Sequence, residues 1–204
     1  MEEKLVHNMK TKELWFQSGH GSVFTSKEKI KLLIWRFVDF WFFKPSLTIF
    51  TPWRVFLLRL FGAKIGRGSY ISPKASIFVP WKLQMGNHSS IDDYAILARG
   101  IGQIFIGDYV SISMGVHIVP GGHDIRSRGF ENNATFVKIE NGVFLGADSF
   151  VGRGVTIGQF SVLGSRAAAY KDIPENSVAV GCPAKVIGER IPHDEYIKYR
   201  YSVK

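Results

Sequence analysis

Apolar and polar positions alternate on a six-residue beat through the middle of the chain. Aliphatic residues stand at Ile65, Ile71 and Ile77; at Met85, Ile91 and Leu97; at Ile106, Ile112 and Ile118; and at Ile139, Leu145, Val151, Ile157, Leu163 and Ala169. Two residues earlier sits a second small or apolar residue, among them Ala63, Ser69, Ala75, Ser89, Ala95, Val110, Val116, Ser149, Val155 and Ser161. Residues two apart on a strand share a face. Each hexapeptide therefore turns one short and one branched side chain inward and then rounds a corner, where Gly66, Gly86, Gly107, Gly146, Gly152, Gly158 or Gly164 follows. A beat of this length predicts a mainly β chain wound as a β-helix.

The beat slips by two residues between Ile77 and Met85 and by three between Leu97 and Ile106, which predicts small bulges at corners. Residues 119–136, rich in Gly, Asn, Arg and Asp, cannot continue the coil and are expected to project as a loop. Upstream, Ile30, Leu33, Ile34, Phe37, Val38 and Trp41 have the spacing of a helix face that Pro45 ends, and this face is expected to pack on the coil. Thr51-Pro52 reads as an N-cap followed by proline, opening a second helix over 52–61 that Gly62 stops. Residues 1–26 are polar with no clear period, and partial disorder is expected there. The organisation is thus an N-terminal extension (1–62), a coil (63–190) carrying the 119–136 loop, and a tail (191–204).

Composition narrows the function classes. The net charge of +9 favours anionic partners such as a membrane surface or a phosphorylated cosubstrate. The basic residues are scattered with no run of five, which argues against nucleic acid. One cysteine, Cys182, excludes an internal disulfide and fits a reducing, cytoplasmic setting. The first 25 residues lack the apolar core of a signal peptide. Residues 30–43 are too short and too charged to span a bilayer.

Candidate chemistry gathers in the loop. Gly121-Gly122-His123-Asp124 places an imidazole, which titrates near neutral pH, behind two glycines that free the backbone to present it. Asp92 and Asp93 occupy a corner where glycine usually sits, and with Asp124 they are candidate acceptors of hydrogen bonds from sugar hydroxyls. His88, His117 and His123 could instead share a zinc ion, as in a metal-dependent hydratase. Lys171, Lys185, Arg153 and Arg166 lie in the last coils and tail, where cations could meet phosphates.

The repeats, the His-Asp loop and the run Lys171-Asp172-Ile173-Pro174-Glu175-Asn176-Ser177-Val178, followed by Gly181-Cys182-Pro183-Ala184-Lys185-Val186-Ile187, resemble hexapeptide-repeat O-acetyltransferases of the maltose and galactoside type. The segments from Trp53 to Gly66 and Pro80-Trp81-Lys82-Leu83 resemble more specifically the colanic acid biosynthesis acetyltransferases. The resemblance implies a left-handed parallel β-helix, a homotrimer with sites between subunits, and acetyl-CoA as donor. It implies His123 as the catalytic base, Asp92 as an acceptor contact, and Ala147, Ser165, Tyr170, Lys171 and Lys185 as cosubstrate contacts, with no metal. The implied activity is O-acetylation of a sugar hydroxyl on a surface polysaccharide or its precursor. A small acceptor (a simple sugar, serine or an antibiotic) is the alternative, followed by a carbonic anhydrase-like hydratase. Tyr170 replaces a small hydroxyl residue, and Gly188 replaces a basic one, relative to that pattern. The aromatic and basic residues between 30 and 61 are compatible with peripheral membrane contact at the inner face.

Overall fold

Three parallel sheets, built from strands of two to four residues, form the faces of a prism. The computed structural model describes residues 24–97, 102–123, 126 and 132–190. The expectations for residues 1–23 and for the tail from 191 lie outside them. The first face stacks Lys64–Ile65, Leu83–Met85, Gln103–Ile106, Phe136–Ile139 and Thr156–Ile157. The second stacks Tyr70–Ile71, Ser90–Ile91, Ser111–Ile112, Phe144–Leu145, Val162–Leu163 and Ser177–Val180. The third stacks Ser76–Ile77, Ile96–Leu97, His117–Ile118, Phe150–Val151 and Ala168–Ala169. The register aligns the beat from coil to coil: Ile71 pairs with Ile91, Ile91 with Ile112, Ile112 with Leu145 and Leu145 with Leu163. The winding is left-handed, the exception to the usual crossover rule.

All fifteen beat positions are buried, and so is every inward residue two places before them that the sequence pattern named. The serines among the latter have a local reason. Ser69 Oγ donates to the Gly86 carbonyl at 2.7 Å, and Ser89 Oγ donates to the Gly107 carbonyl at 2.8 Å. A short hydroxyl thus caps the corner of the next coil where a larger side chain would not fit. Corner glycines answer the same crowding: a Cβ on Gly146 would stand 2.5 Å from the Ser165 nitrogen.

Every departure from the beat falls on one edge, between the third and first faces. A 3-10 turn, Pro80–Lys82, fills the first crossing, a longer connection follows Leu97, and the excursion after Ile118 fills the third. The three stack, since Val79, Gly102 and Pro120 line one small cavity. The excursion is a two-stranded antiparallel hairpin rather than a plain loop, with Gly121–His123 against Asn132–Ala134. A terminal hairpin, Ser177–Val180 with the antiparallel strand Lys185–Glu189, closes the second face.

Two helices cover the start of the coil. Helix α1 (Ser26–Val38) begins in a capping box of Thr25 and Glu28 and passes into a π-helical turn, Asp39–Phe43, before Pro45. Helix α2 spans Thr51–Leu60. Its N-cap is Phe50, not Thr51. The Thr51 hydroxyl donates to the Thr48 carbonyl and accepts from Arg54, so it joins the loop instead of capping the helix. The expected packing face of α1 is also corrected. Ile30, Leu33, Ile34, Phe37 and Trp41 are exposed and Val38 alone of that face packs on the core, while Trp35 and Phe43 turn inward. The Trp35 indole fixes this rotation by donating to the Ile77 carbonyl at 2.8 Å.

Arg54 anchors the cap. It is fully buried, and its guanidinium donates to the carbonyls of Ile71, Leu47 and Thr48 and to the hydroxyls of Ser46 and Thr51. Burial pushes its pKa below the ordinary arginine value. Five donors in a rigid fork satisfy five acceptors, which no other side chain offers.

Candidate functional site

The excursion at residues 119–136 positions His123. Its base is pinned to the coil: Thr135 N–H donates to the Pro120 carbonyl at 3.1 Å, and Gln103 N–H donates to the Thr135 carbonyl at 3.0 Å. Gly154 N–H donates to Phe136 at 2.8 Å from the coil beyond. His123 stands opposite Asn132 in the hairpin, with its side chain exposed. Beneath it, the Arg153 side chain packs against Gly122, whose modest spacing there leaves ordinary contact distance for a Cβ. Neither Gly121 nor Gly122 has a left-handed backbone, and a Cβ at Gly122 would meet only ordinary contacts, so the expected sharp glycine turn before His123 is not what the structure uses. Tyr170 lies on the same edge with its ring 5.5 Å from Phe150, and Lys171 follows it, exposed. His123, Arg153, Tyr170 and Lys171 thus share the edge between the third and first faces.

A second set lies on the edge between the second and third faces. Asp92, Ala147 and Ser165 follow Ile91, Leu145 and Leu163 there, with Ser165 and Asp92 exposed. Asp93 takes part in a local ion pair. Lys74 Nζ donates to its carboxylate at 2.8 Å, the Ser72 hydroxyl donates to its other oxygen, and these two partners hold its pKa below the usual carboxylate range. Lys74 also sits over the Tyr94 ring at 5.3 Å. Arg166 faces Asp148 across 3.9 Å. Lys185 opens the exposed terminal strand. Asp124 lies outside the described residues.

The two sets flank the third face. Arg153 follows Ala147 by six residues that round a turn at Asp148 and cross the face on Phe150–Val151, so the edges are separated by at most about 20 Å and on the order of 15 Å. One chain does not gather both around a single point. Sequence reasoning named the residues of both sets but not this separation.

His88 is on neither edge. It sits at the corner between the first and second faces in a left-handed conformation and stacks on Tyr109 with ring centroids 5.3 Å apart. His117 is exposed on the third face. The three-histidine zinc site is therefore not assembled, and among the described residues no three His, Cys, Asp or Glu side chains are grouped to hold a metal.

A groove of about 420 Å³ has no counterpart in the sequence pattern. It runs over the outer first face between Lys64, Gln84, Phe105, Lys138, Glu140 and Gln159. Its carboxylate is committed: Lys138 Nζ donates to Glu140 at 2.7 Å and Gln159 N–H donates at 3.1 Å, and these partners hold the pKa of Glu140 low. No histidine lines it, and its carboxylate is tied to Lys138 and Gln159, so it offers a surface with no uncommitted base.

No protein-family model matches the chain. It is 40% identical over 168 residues to WcaF of Escherichia coli (strain K12), provisionally named as a colanic acid biosynthesis acetyltransferase; the match covers 82% of this chain and 92% of that protein. It is 28% identical over 159 residues to the galactoside O-acetyltransferase of the same strain, covering 72% of this chain and 74% of that one. Its fold matches the hexapeptide-repeat acetyltransferase of Vibrio cholerae O1 biovar eltor solved with acetyl coenzyme A, with a TM-score of 0.72 at 20% identity, covering 89% of this chain and 99% of that one.

Proposed function

Because the chain belongs to the WcaF-type family of hexapeptide-repeat acetyltransferases, we propose that it transfers the acetyl group of acetyl-CoA to a hydroxyl of a saccharide in a surface polysaccharide or its precursor. The observation that carries this reading is the Gly121–His123 arm, which lifts one imidazole off the coil edge at the single large interruption of the beat. His123 takes the proton from the acceptor hydroxyl, and that oxygen attacks the thioester carbonyl. The tetrahedral oxyanion is stabilised by a backbone N–H of the neighbouring coil. On collapse, the imidazolium gives its proton to the departing CoA thiolate. Acceptor contacts fall to Asp92 and Asp124. Asp93 has to surrender its Lys74 partner to join them. Ala147, Ser165, Tyr170, Lys171 and Lys185 hold the cosubstrate, and Arg153 adds a cation beside the His123 hairpin.

The separation of the two edges supports a homotrimer. Three prisms about a common axis set one subunit's His123 edge against its neighbour's Asp92–Ala147–Ser165 edge, so that a site is completed by two chains. We further place the enzyme in the cytoplasm, with residues 30–61 toward the inner face of the membrane.

The test is His123→Ala. Turnover with the correct saccharide is expected to fall at least about 10²-fold while acetyl-CoA affinity stays nearly unchanged. His88→Ala and His117→Ala are expected to cost far less. Near-full turnover in His123→Ala overturns the mechanism. CoA release across a panel of saccharides, serine and aminoglycosides separates the polysaccharide reading from the small-acceptor one.

A further inference from the structure

We propose that the outward face of α1, the π-helical turn and α2 is a seat for an anionic lipid bilayer, which holds the His123 edge beside saccharides carried on lipid. The inference rests on the functional reading above and gives its membrane placement a surface, a chemistry and an orientation.

The cap buries one set of apolar residues against the coil and leaves a second set outward. Leu33 is 71% exposed, Ile49 77%, and Phe37 and Trp41 59% each. Phe40, Phe42, Phe50, Trp53, Phe56 and Leu60 are exposed with them. The rings gather on one another: Phe37 lies 6.5 Å from Trp41 and 6.3 Å from Phe42, and Phe40 meets Trp41 edge-on at 5.1 Å. Trp53 joins α2 to this group, since its indole donates to the Phe42 carbonyl at 3.1 Å. Exposed apolar surface of this extent marks an interaction site.

Charge selects the occupant. Residues 26–61 contain seven Lys and Arg against two acidic residues. Both acids are engaged, Glu28 in the capping box and Asp39 with Lys44 at 3.6 Å. Lys27, Lys29 and Arg36 are exposed around the aromatic group. A second copy would bring the same cations and be repelled, and a nucleic acid would leave Leu33 and Ile49 in water. Anionic headgroups over an acyl boundary satisfy both halves of the surface, because rings bury at the interface while cations meet phosphate. No helix among the described residues is long and apolar enough to cross the bilayer, so the contact is peripheral.

Orientation follows from the edge on which α1 rests. Trp35 bonds Ile77 and Lys31 lies 4.7 Å over the ring of Trp81, both at the third-to-first crossing of the first coil. His123 rises from the same edge at the third crossing, two strand steps or about 10 Å along the prism. A saccharide attached to a lipid at the seat is thereby presented to the base.

The experiment pellets the full chain with vesicles of phosphatidylglycerol in phosphatidylcholine, and with phosphatidylcholine alone, at low salt. Binding to the anionic vesicles is expected to be at least tenfold tighter. It should fall at least tenfold in Leu33→Ser/Phe37→Ser/Trp41→Ser and separately in Lys27→Gln/Lys29→Gln/Arg36→Gln. The thermal midpoint and CoA release with a soluble saccharide should hold in both variants. The seat is overturned if the wild type stays in the supernatant, if neutral vesicles bind equally, or if the serine variant still pellets. It is also overturned if that variant instead lowers the mass seen by light scattering, which would make the face a contact between copies. Vesicle binding without acetyl transfer to any saccharide would leave the seat standing and remove the acetyltransferase reading.

Discussion

The coil and its helical cap treat the same residues in opposite ways. In the coil, the aliphatic side chains of the three faces are sealed inside, and outward strand positions are often small or polar, as at Ser90, Ser111 and His117, with scattered exceptions such as Phe136 and Phe144. In the cap, Trp35 and Phe43 are buried, but most of the large apolar residues of α1 face outward. The cap is held both by an apolar seam, in which Trp35, Phe43, Val55, Leu57, Leu58 and Phe61 join the coil's core, and by specific bonds from Trp35 to Ile77 and from Arg54 to Ile71. A repeat must satisfy its own interior at every turn. A cap has one attachment to make and a face left for another surface.

The sharpest way to break this contrast is to truncate matched residues in the two regions. Ile112→Ala removes a fully buried side chain with neighbours in two adjacent coils, Ile91 and Leu145. A loss of about 2–5 kcal/mol is expected in urea unfolding. Leu33→Ala, on the exposed face of α1, is expected to change stability by less than about 0.5 kcal/mol. Comparable losses would mean that the α1 face is packed in solution and would remove the distinction.

Next in size is Arg54→Ala. The change leaves three carbonyls and two hydroxyls without their donor in a buried site. A cost of about 3 kcal/mol is expected. It should fall on the cap first: limited proteolysis is expected to cut within residues 44–62 while the coil stays protected. Simultaneous loss of cap and coil would show the two regions to be one cooperative unit. Arg54→Lys should recover only part, because an ammonium offers no planar fork.

The same contrast explains what the sequence made legible. Coil positions were readable because each inward residue repeats its neighbour's environment: Ile91, Ile112 and Leu145 sit in one register and look alike in the string. The triplets of the beat also place the slips after Ile77, Leu97 and Ile118, which stacks them on one edge. The face of α1 was not readable. Its apolar residues surround the helix, and periodicity cannot choose among them. The choice was made by one indole reaching Ile77, a contact 42 residues away in sequence. Its start is marked in the sequence by the capping-box spacing of Thr25 and Glu28. Arg54 reads as one more surface cation until the loop of Ser46 to Thr51 closes around it. At the proposed site, His123 is singled out by its place in the interruption. The separation of Asp92, Ala147 and Ser165 from it is not, because sequence distance says nothing of which edge a corner occupies.

The smallest expected effect tests whether the join between cap and coil carries a compromise. Asp39 opens the π-helical turn, with one carboxylate oxygen buried and unbonded and the other facing Lys44 at 3.6 Å. Arg36, Lys44, Trp35 and Ser76 line the cavity around it. Burial, opposed by Lys44, raises its pKa above the ordinary aspartate value. A raised carboxylate pKa means that the folded protein prefers the protonated form, so the charged form costs stability at neutral pH. That cost disappears as pH falls through the raised pKa toward the unfolded value near 3.9. Asp39→Asn keeps the shape and removes the charge. The variant is expected to melt slightly above the wild type at pH 7, by less than either loss described above, since the long Lys44 pair it gives up is worth little. The difference should shrink as melting is repeated from pH 7 down to pH 4. A variant that melts below the wild type at pH 7, with a gap closing on acidification, would instead make the Asp39–Lys44 pair a net support of the cap.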